Sequence, residues 1–150
     1  MTDYTLAPQG KQAEVRGSAD VEGVDASGYR LRRLMPHTAL VEVNLTTPAD
    51  SDTVLSQNDT INITVPWACQ VIDMWSVAGA TEASCTVQVL DGSSAITDAI
   101  TCDGAGETVR AGQLDPAYAT LAKGDTLQVL VAGADAPADS KVFILLEILS

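Results

Sequence analysis

The sequence predicts an all-β protein, organised as a single antiparallel β-sandwich behind an extended N-terminal arm. Short β-branched runs separated by turn residues begin after Pro36 and continue to the C-terminal end, which is the pattern of such a fold. No amphipathic stretch is long enough for the crossover helix of a parallel α/β fold, so that class is excluded. The 150 residues, 46% of them hydrophobic, suffice for one domain with its own core.

The predicted strands follow one another at short intervals along the chain. They cover residues 38–46, 60–65, 69–78, 84–90, 95–102, 108–112, 116–121, 126–132 and 141–149. Asp91-Gly92 is a tight-turn signal, so the strands on either side of it should form a hairpin. The segment at 108–112 is the weaker candidate, and eight strands remain without it. Seven or eight strands in about 110 residues fit both an Ig-like sandwich and a jelly roll, and the strand count does not separate them.

The last predicted strand is apolar on both faces. Val142, Ile144, Leu146 and Ile148 alternate on one face, whereas Phe143, Leu145 and Leu149 occupy the other. Such a strand has to be covered on both sides. Either it is central with a layer above and below it, or its outer face, with Phe143 and Leu145, contacts another subunit.

The N-terminal segment has a different composition from the body. Residues 1–40 contain five acidic and five basic residues, whereas residues 41–150 contain fifteen acidic and three basic residues. Glycines and Pro8 interrupt every candidate helix before Tyr29, and the valines are too sparse to bury a face. We therefore divide the chain into an arm at 1–37 and a sandwich at 38–150. The arm is either a disordered tail or a segment that becomes ordered on another surface, where Arg30, Arg32 and Arg33 would pair with carboxylates.

No residue pattern indicates catalysis, a cofactor or a metal site. Cys69, Cys85 and Cys102 are widely spaced and His37 is the single histidine, so a zinc site is not expected. Cys85 alternates with Val87 and Val89, which predicts a buried thiol. We expect a non-enzymatic protein with no catalytic residues.

The charge and hydropathy of the chain limit its partners and its location. The formal net charge of -12 should repel the phosphates of nucleic acid. No apolar run approaches the length of a membrane helix, and residues 1–10 lack the apolar core of a signal peptide. We therefore expect a soluble, unexported protein that binds neither nucleic acid nor membrane.

Trp67 is the candidate for a ligand contact. Aromatic residues make up only 4% of the chain. Trp75 lies between Met74 and Val77 inside a predicted strand and is interpreted as a core residue. Trp67 follows Pro66 at a strand break, where an exposed indole can serve as a stacking platform for a sugar.

Four segments of the chain resemble β-sandwich modules of tailed-bacteriophage virion proteins. They are ITVPWACQV at 63–71, TVQVLDG at 86–92, GET at 106–108 and TLAKGDTLQV at 120–129. The resemblance covers roughly residues 60–132 and lies in the sequence pattern of the strands and of the turns between them. Small capsid decoration (cement) proteins and the heads of fibres belong to this group.

The resemblance implies a function outside catalysis. A decoration protein of this type is assembled in the host cytoplasm, sits on the capsid exterior of the virion, often as a homotrimer, and stabilises the head. It would grip neighbouring copies of the major capsid protein with its N-terminal arm, which gives Arg30, Arg32 and Arg33 a partner. The alternative is a fibre or receptor-binding head that recognises carbohydrate through Trp67.

Overall fold

The computed structural model describes residues 14–15, 28–35, 37–46, 54–82 and 84–149, and the secondary structure of this part of the chain consists of β-strands without a helix. All strand pairs are antiparallel. The strands are β1 (Glu14–Val15), β2 (Tyr29–Met35), β3 (Thr38–Asn44), β4 (Thr60–Thr64), β5 (Cys69–Val77), β6 (Thr86–Asp91), β7 (Ser94–Ala95), β8 (Ile100–Thr101), β9 (Thr108–Arg110), β10 (Thr120–Leu121), β11 (Thr126–Ala132) and β12 (Lys141–Ile148). The prediction of an all-β protein is confirmed. Nothing in the described ranges forms a helix that could cross a bilayer.

The strands form two sheets. The seven-stranded sheet has the order β1-β2-β3-β12-β5-β10, and β9 also pairs with β5. The five-stranded sheet has the order β4-β11-β6-β7, and β8 also pairs with β6. The inward-facing residues of both sheets form one hydrophobic core. In β4, for example, Ile61 and Ile63 are buried while Thr60, Asn62 and Thr64 are exposed, as the alternation in the sequence predicts.

β12 is the central strand of the larger sheet. It pairs with β3 along one side and with β5 along the other. Val142, Ile144 and Leu146 are fully buried on its inner face. Phe143 and Leu145 lie on its outer face and are half-buried. The two apolar faces of the sequence thus correspond to a central strand whose inner side lies in the core.

The sheet begins earlier than the predicted boundary at residue 38. Within the predicted arm, at 1–37, Tyr29–Met35 forms β2 and pairs with β3. Leu31 is only 1% exposed, and the Asn44 N–H donates to the Gly28 carbonyl oxygen at 3.0 Å. This strand was not predicted from the sequence, because the outward-facing Arg30 and Arg32 make the segment polar. β1 pairs with β2, and the rest of the predicted arm before Gly28 lies outside the described residues.

The Asp91-Gly92 hairpin is present, but its second strand is broken. β7 pairs with β6 across the turn, and β8 pairs with β6 further along. Between them the N–H groups of Ile96 and Thr97 both donate to the Val89 carbonyl oxygen, at 2.9 and 3.2 Å. Two residues opposing one is a β-bulge. The Thr97 hydroxyl oxygen accepts the Val89 N–H at 3.0 Å, so a side-chain bond replaces the lost ladder bond.

The predicted strand at 116–121 is mostly a turn. The Asp115 carboxylate accepts the Ala117 N–H at 2.9 Å, and the Asp115 carbonyl oxygen accepts the N–H groups of Tyr118 and Ala119. An aspartate followed by proline favours this turn. Only Thr120–Leu121 remains as strand β10.

We expect the Leu31→Ala variant to lower the free energy of unfolding by about 3 kcal/mol, because it leaves a cavity in the core. Leu40→Ala on β3 is the matched control. Leu40 is half-buried on the outer face of the same sheet, and its truncation should cost about 1 kcal/mol. Urea denaturation measures both. Equal losses would show that β2 does not contribute to the core.

Candidate functional site

The outer face of the seven-stranded sheet carries a row of large apolar side chains. On β3, β12 and β5 the residues that alternate with the core point away from the other sheet. Cross-strand neighbours place them side by side, since Phe143 opposes Trp75 and Leu145 opposes Leu40. We call this surface the aromatic face. Its apolar members include Leu40, Trp75, Phe143 and Leu145, with the exposed Ile72 at the adjoining bulge of β5.

An aromatic stack forms the centre of the aromatic face. The rings of Trp75 and Phe143 lie 5.5 Å apart at an interplanar angle of 17°. The Arg110 guanidinium lies over the Trp75 ring, 5.2 Å from its centroid, and its Nε is 3.0 Å from the Asp73 carboxylate. Stacking and cation–π contacts hold the two rings in one orientation without covering them with another layer.

A carboxylate held by two cations borders the stack. Glu42 on β3 accepts a hydrogen bond from Arg30 on β2 at 3.2 Å and from Lys141 on β12 at 2.8 Å. The Glu42 side chain is 11% exposed although it lies on the outer face. The two bonds therefore join three neighbouring strands. Together, Arg30, Glu42 and Lys141 carry one positive charge in excess.

Charge is distributed unevenly over the described surface. The basic side chains of the aromatic face are Arg30, Arg32, Arg110 and Lys141, and its acidic side chains are Glu42, Asp73 and Glu147. Elsewhere among the residues with described side chains there are two basic and ten acidic residues. Within the described surface, the aromatic face is thus the part that repels another acidic surface least.

The three arginines predicted to bind a partner have different surroundings. Arg30 is engaged with Glu42. Arg32 opposes Leu40 across the sheet, and its Nε is buried without a hydrogen-bond acceptor in the described part of the chain. Arg33 lies over the ring of Trp67, 5.9 Å from the centroid. They therefore do not form one exposed cationic cluster.

The structure changes the interpretation of Trp75, whereas the ligand contact of Trp67 stays a prediction. Trp67, the predicted ligand contact, is half-buried and packs against the core beneath Arg33. Trp75, interpreted as a core residue, lies on the aromatic face instead, because Met74 takes the inner position. Sequence reasoning also missed Glu42 and Lys141. The signal available in the sequence was the position of Glu42 between Val41 and Val43 on β3, which places Glu42 on the face opposite two core residues.

The three thiols are structural. Cys69, Cys85 and Cys102 are all buried and none forms a disulfide. Burial raises the pKa of Cys69 to about 11 and that of Cys85 to about 12, and it also raises the pKa of Cys102. Such thiols are poor nucleophiles at neutral pH. His37 is exposed, and the described ranges hold no group of three His, Cys, Asp or Glu side chains with metal-binding geometry.

A shallow groove of about 500 Å³ lies beside the broken hairpin of the five-stranded sheet. Its polar lining includes Gln88, Asp98, Gln113 and Asp115. Three of these side chains are engaged within the protein, because Gln88 Nε2 donates to the Thr97 carbonyl oxygen and the Asp98 and Asp115 carboxylates accept backbone N–H groups. These bonds hold the loops around the groove, and the aromatic face is the better candidate for a functional surface.

We expect Glu42→Gln to lower the free energy of unfolding by about 2 kcal/mol, since it leaves Arg30 and Lys141 side by side without their counter-charge. Asp73→Asn is the matched control on the same face. Its partner Arg110 is 64% exposed, so the loss there should be below about 1 kcal/mol. Thermal or urea denaturation of both variants measures the two losses in the free energy of unfolding. If Asp73→Asn is the more costly change, Glu42 does not hold the three strands together.

Compared with known proteins, the chain matches no family model, no curated protein and no solved structure.

Proposed function

We propose that this chain is a capsid decoration (cement) protein of a tailed bacteriophage, which binds the outside of the assembled head and stabilises it. The observation that carries the proposal is the aromatic face, a half-buried apolar surface on an otherwise strongly acidic protein. A stable, non-catalytic module that presents one such surface is suited to docking on a large assembly.

The order of the strands supports a jelly roll rather than an Ig-like sandwich. Antiparallel pairs are nested along the chain: β3 pairs with β12, β4 with β11, β5 with β10 and β6 with β7. Consecutive strands from β3 to β6 alternate between the two sheets. A long hairpin wrapped into two four-stranded sheets has this connectivity, and jelly rolls are common in viral capsid and lectin domains. Strand β2 extends one of these sheets.

The chemistry of the aromatic face indicates the partner surface. Phe143, Leu145 and Trp75 provide a central apolar area, and the positive excess of the Arg30–Glu42–Lys141 cluster lies at its border. An apolar centre with a charged rim is the usual anatomy of a docking interface. The complementary partner is a shell protein that exposes apolar side chains next to carboxylates.

We expect Leu145→Asp to weaken binding to phage heads at least about tenfold, since it places an unpaired charge in the centre of the interface. Leu130→Asp is the matched control, because Leu130 is an equally half-buried leucine on the outer face of the five-stranded sheet. Co-sedimentation with heads assembled from the shell protein of the same phage measures both. Full binding by the Leu145→Asp variant, with Leu130→Asp impaired, would place the interface on the opposite sheet.

The arm is tested separately by deleting residues 1–27, which leaves Gly28 and β2 in place. We expect the shortened protein to keep its folded body, because the described core lies within residues 29–149. Attachment to heads should be lost if the arm grips neighbouring shell subunits. A shortened protein that decorates heads as well as the full chain would refute the arm while leaving the aromatic face as the docking surface.

A further inference from the structure

β4 is the longest edge strand in the part of the chain that the structure describes. It pairs with β11 on one side, and β11 is its single partner in the described ranges. β4 has five residues, whereas the other edge strands, β1, β7, β8, β9 and β10, have two or three. Short edges protect a sheet from pairing with another chain, so β4 is the exception.

On the side away from β11, β4 pairs with no strand of the described ranges, and its ladder with β11 determines which backbone groups lie on that side. Val65 N–H donates to the Asp125 carbonyl oxygen and Val131 N–H donates to the Asp59 carbonyl oxygen, both at 3.0 Å. In an antiparallel ladder, residues direct their backbone groups alternately to one side and the other. The odd-numbered residues of β4 therefore face β11. Thr60, Asn62 and Thr64 direct their N–H and C=O groups to the side away from β11, where the described part of the chain places no other strand.

β4 itself carries no charge, proline or bulge of the kind that normally blocks an edge. Its sequence, Thr-Ile-Asn-Ile-Thr, contains no charge and no proline, and its register with β11 has no bulge. The side chains of Thr60, Asn62 and Thr64 are exposed on the outer face of the sheet. A neighbouring strand would meet no like charge along these five residues.

The sequence of β4 is palindromic about Asn62, which identifies the partner as a second copy of the strand. In an antiparallel pair centred on Asn62, Thr60 opposes Thr64 of the copy, Ile61 opposes Ile63, and Asn62 opposes itself. Matched β-branched pairs of this kind stabilise a sheet. The flanking Asp59 would oppose Val65 of the copy, so no carboxylates meet in this register.

We propose that two copies of this protein pair through β4, antiparallel about a two-fold axis at Asn62, to form one continuous ten-stranded sheet. The pairing supplies about six backbone hydrogen bonds, two for each of the three opposed pairs that face the edge. The two-fold axis is perpendicular to the sheet, so the aromatic faces of both copies point in the same direction. This inference rests on β4 alone and does not depend on the proposed function.

The first test is the mass of the full-length protein in solution. Sedimentation over a concentration series should show a dimer for the wild type, and Asn62→Lys should raise its dissociation constant about tenfold or more, since two ammonium groups meet on the axis. Gln128→Lys is the matched control, because Gln128 neighbours Asn62 on the same face but on the inner strand β11. It should leave the dimer intact.

The second test is a cross-link across the axis. Opposed residues of a hydrogen-bonded pair have Cα atoms about 5.5 Å apart, which suits a disulfide. Mild oxidation should join two copies of the Asn62→Cys variant and should not join those of Gln128→Cys. The three natural cysteines are buried, so the added thiol is the one that reacts.

Three results would overturn the inference. One is a wild-type protein that stays monomeric over the whole concentration series. Another is a homotrimer, the state implied by the resemblance, whose mass Asn62→Lys leaves unchanged. The third is an Asn62→Cys variant that is not cross-linked although it is folded. Circular dichroism on each variant shows whether the fold is retained.

Discussion

The position of β12 is the constraint on which the rest of the structure depends. This strand, the last along the described chain, lies between β3 and β5 and pairs with both over most of its length. Its inner residues close the core, and its outer residues, Phe143 and Leu145, form the centre of the aromatic face. Because a central strand is held on both sides, the outward side chains have a rigid base. Lys141 at its start adds a cation to the Glu42 cluster.

The sequence predicts the class of fold and most of the long strands, because alternation of apolar and polar residues is visible wherever one face is buried. It fails where a local bond competes with the ladder, as at Thr97 and Asp115, whose side chains bind nearby backbone N–H groups. The site is harder to predict. Phe143 and Leu145 stand out as a second apolar face, but the stacking of Phe143 on Trp75 and the Glu42 bridge depend on strand pairing, which the chain order does not reveal.

The two sheets present different chemistry to their surroundings. The seven-stranded sheet has one stacked ring pair and bridged charges on its outer face, whereas the outer face of β4 and β11 carries threonine, asparagine, glutamine and the half-buried Leu130. The first surface is suited to a partner with a defined apolar footprint. The second is uncharged along β4, and backbone groups would provide most of its contacts with a paired strand. The proposed docking and the proposed self-association thus involve separate surfaces of the protein.

The burial of all three cysteines determines how the molecule behaves once it unfolds. While the sheets are closed, Cys69, Cys85 and Cys102 are shielded and protonated, so the fold needs neither an oxidising nor a reducing compartment. Unfolding restores ordinary acidity to three sulfhydryls at once, and in air they can couple at random with those of other chains. Loss of the native state then becomes irreversible, so the lifetime of the protein on heating is governed by its rate of opening rather than by an equilibrium.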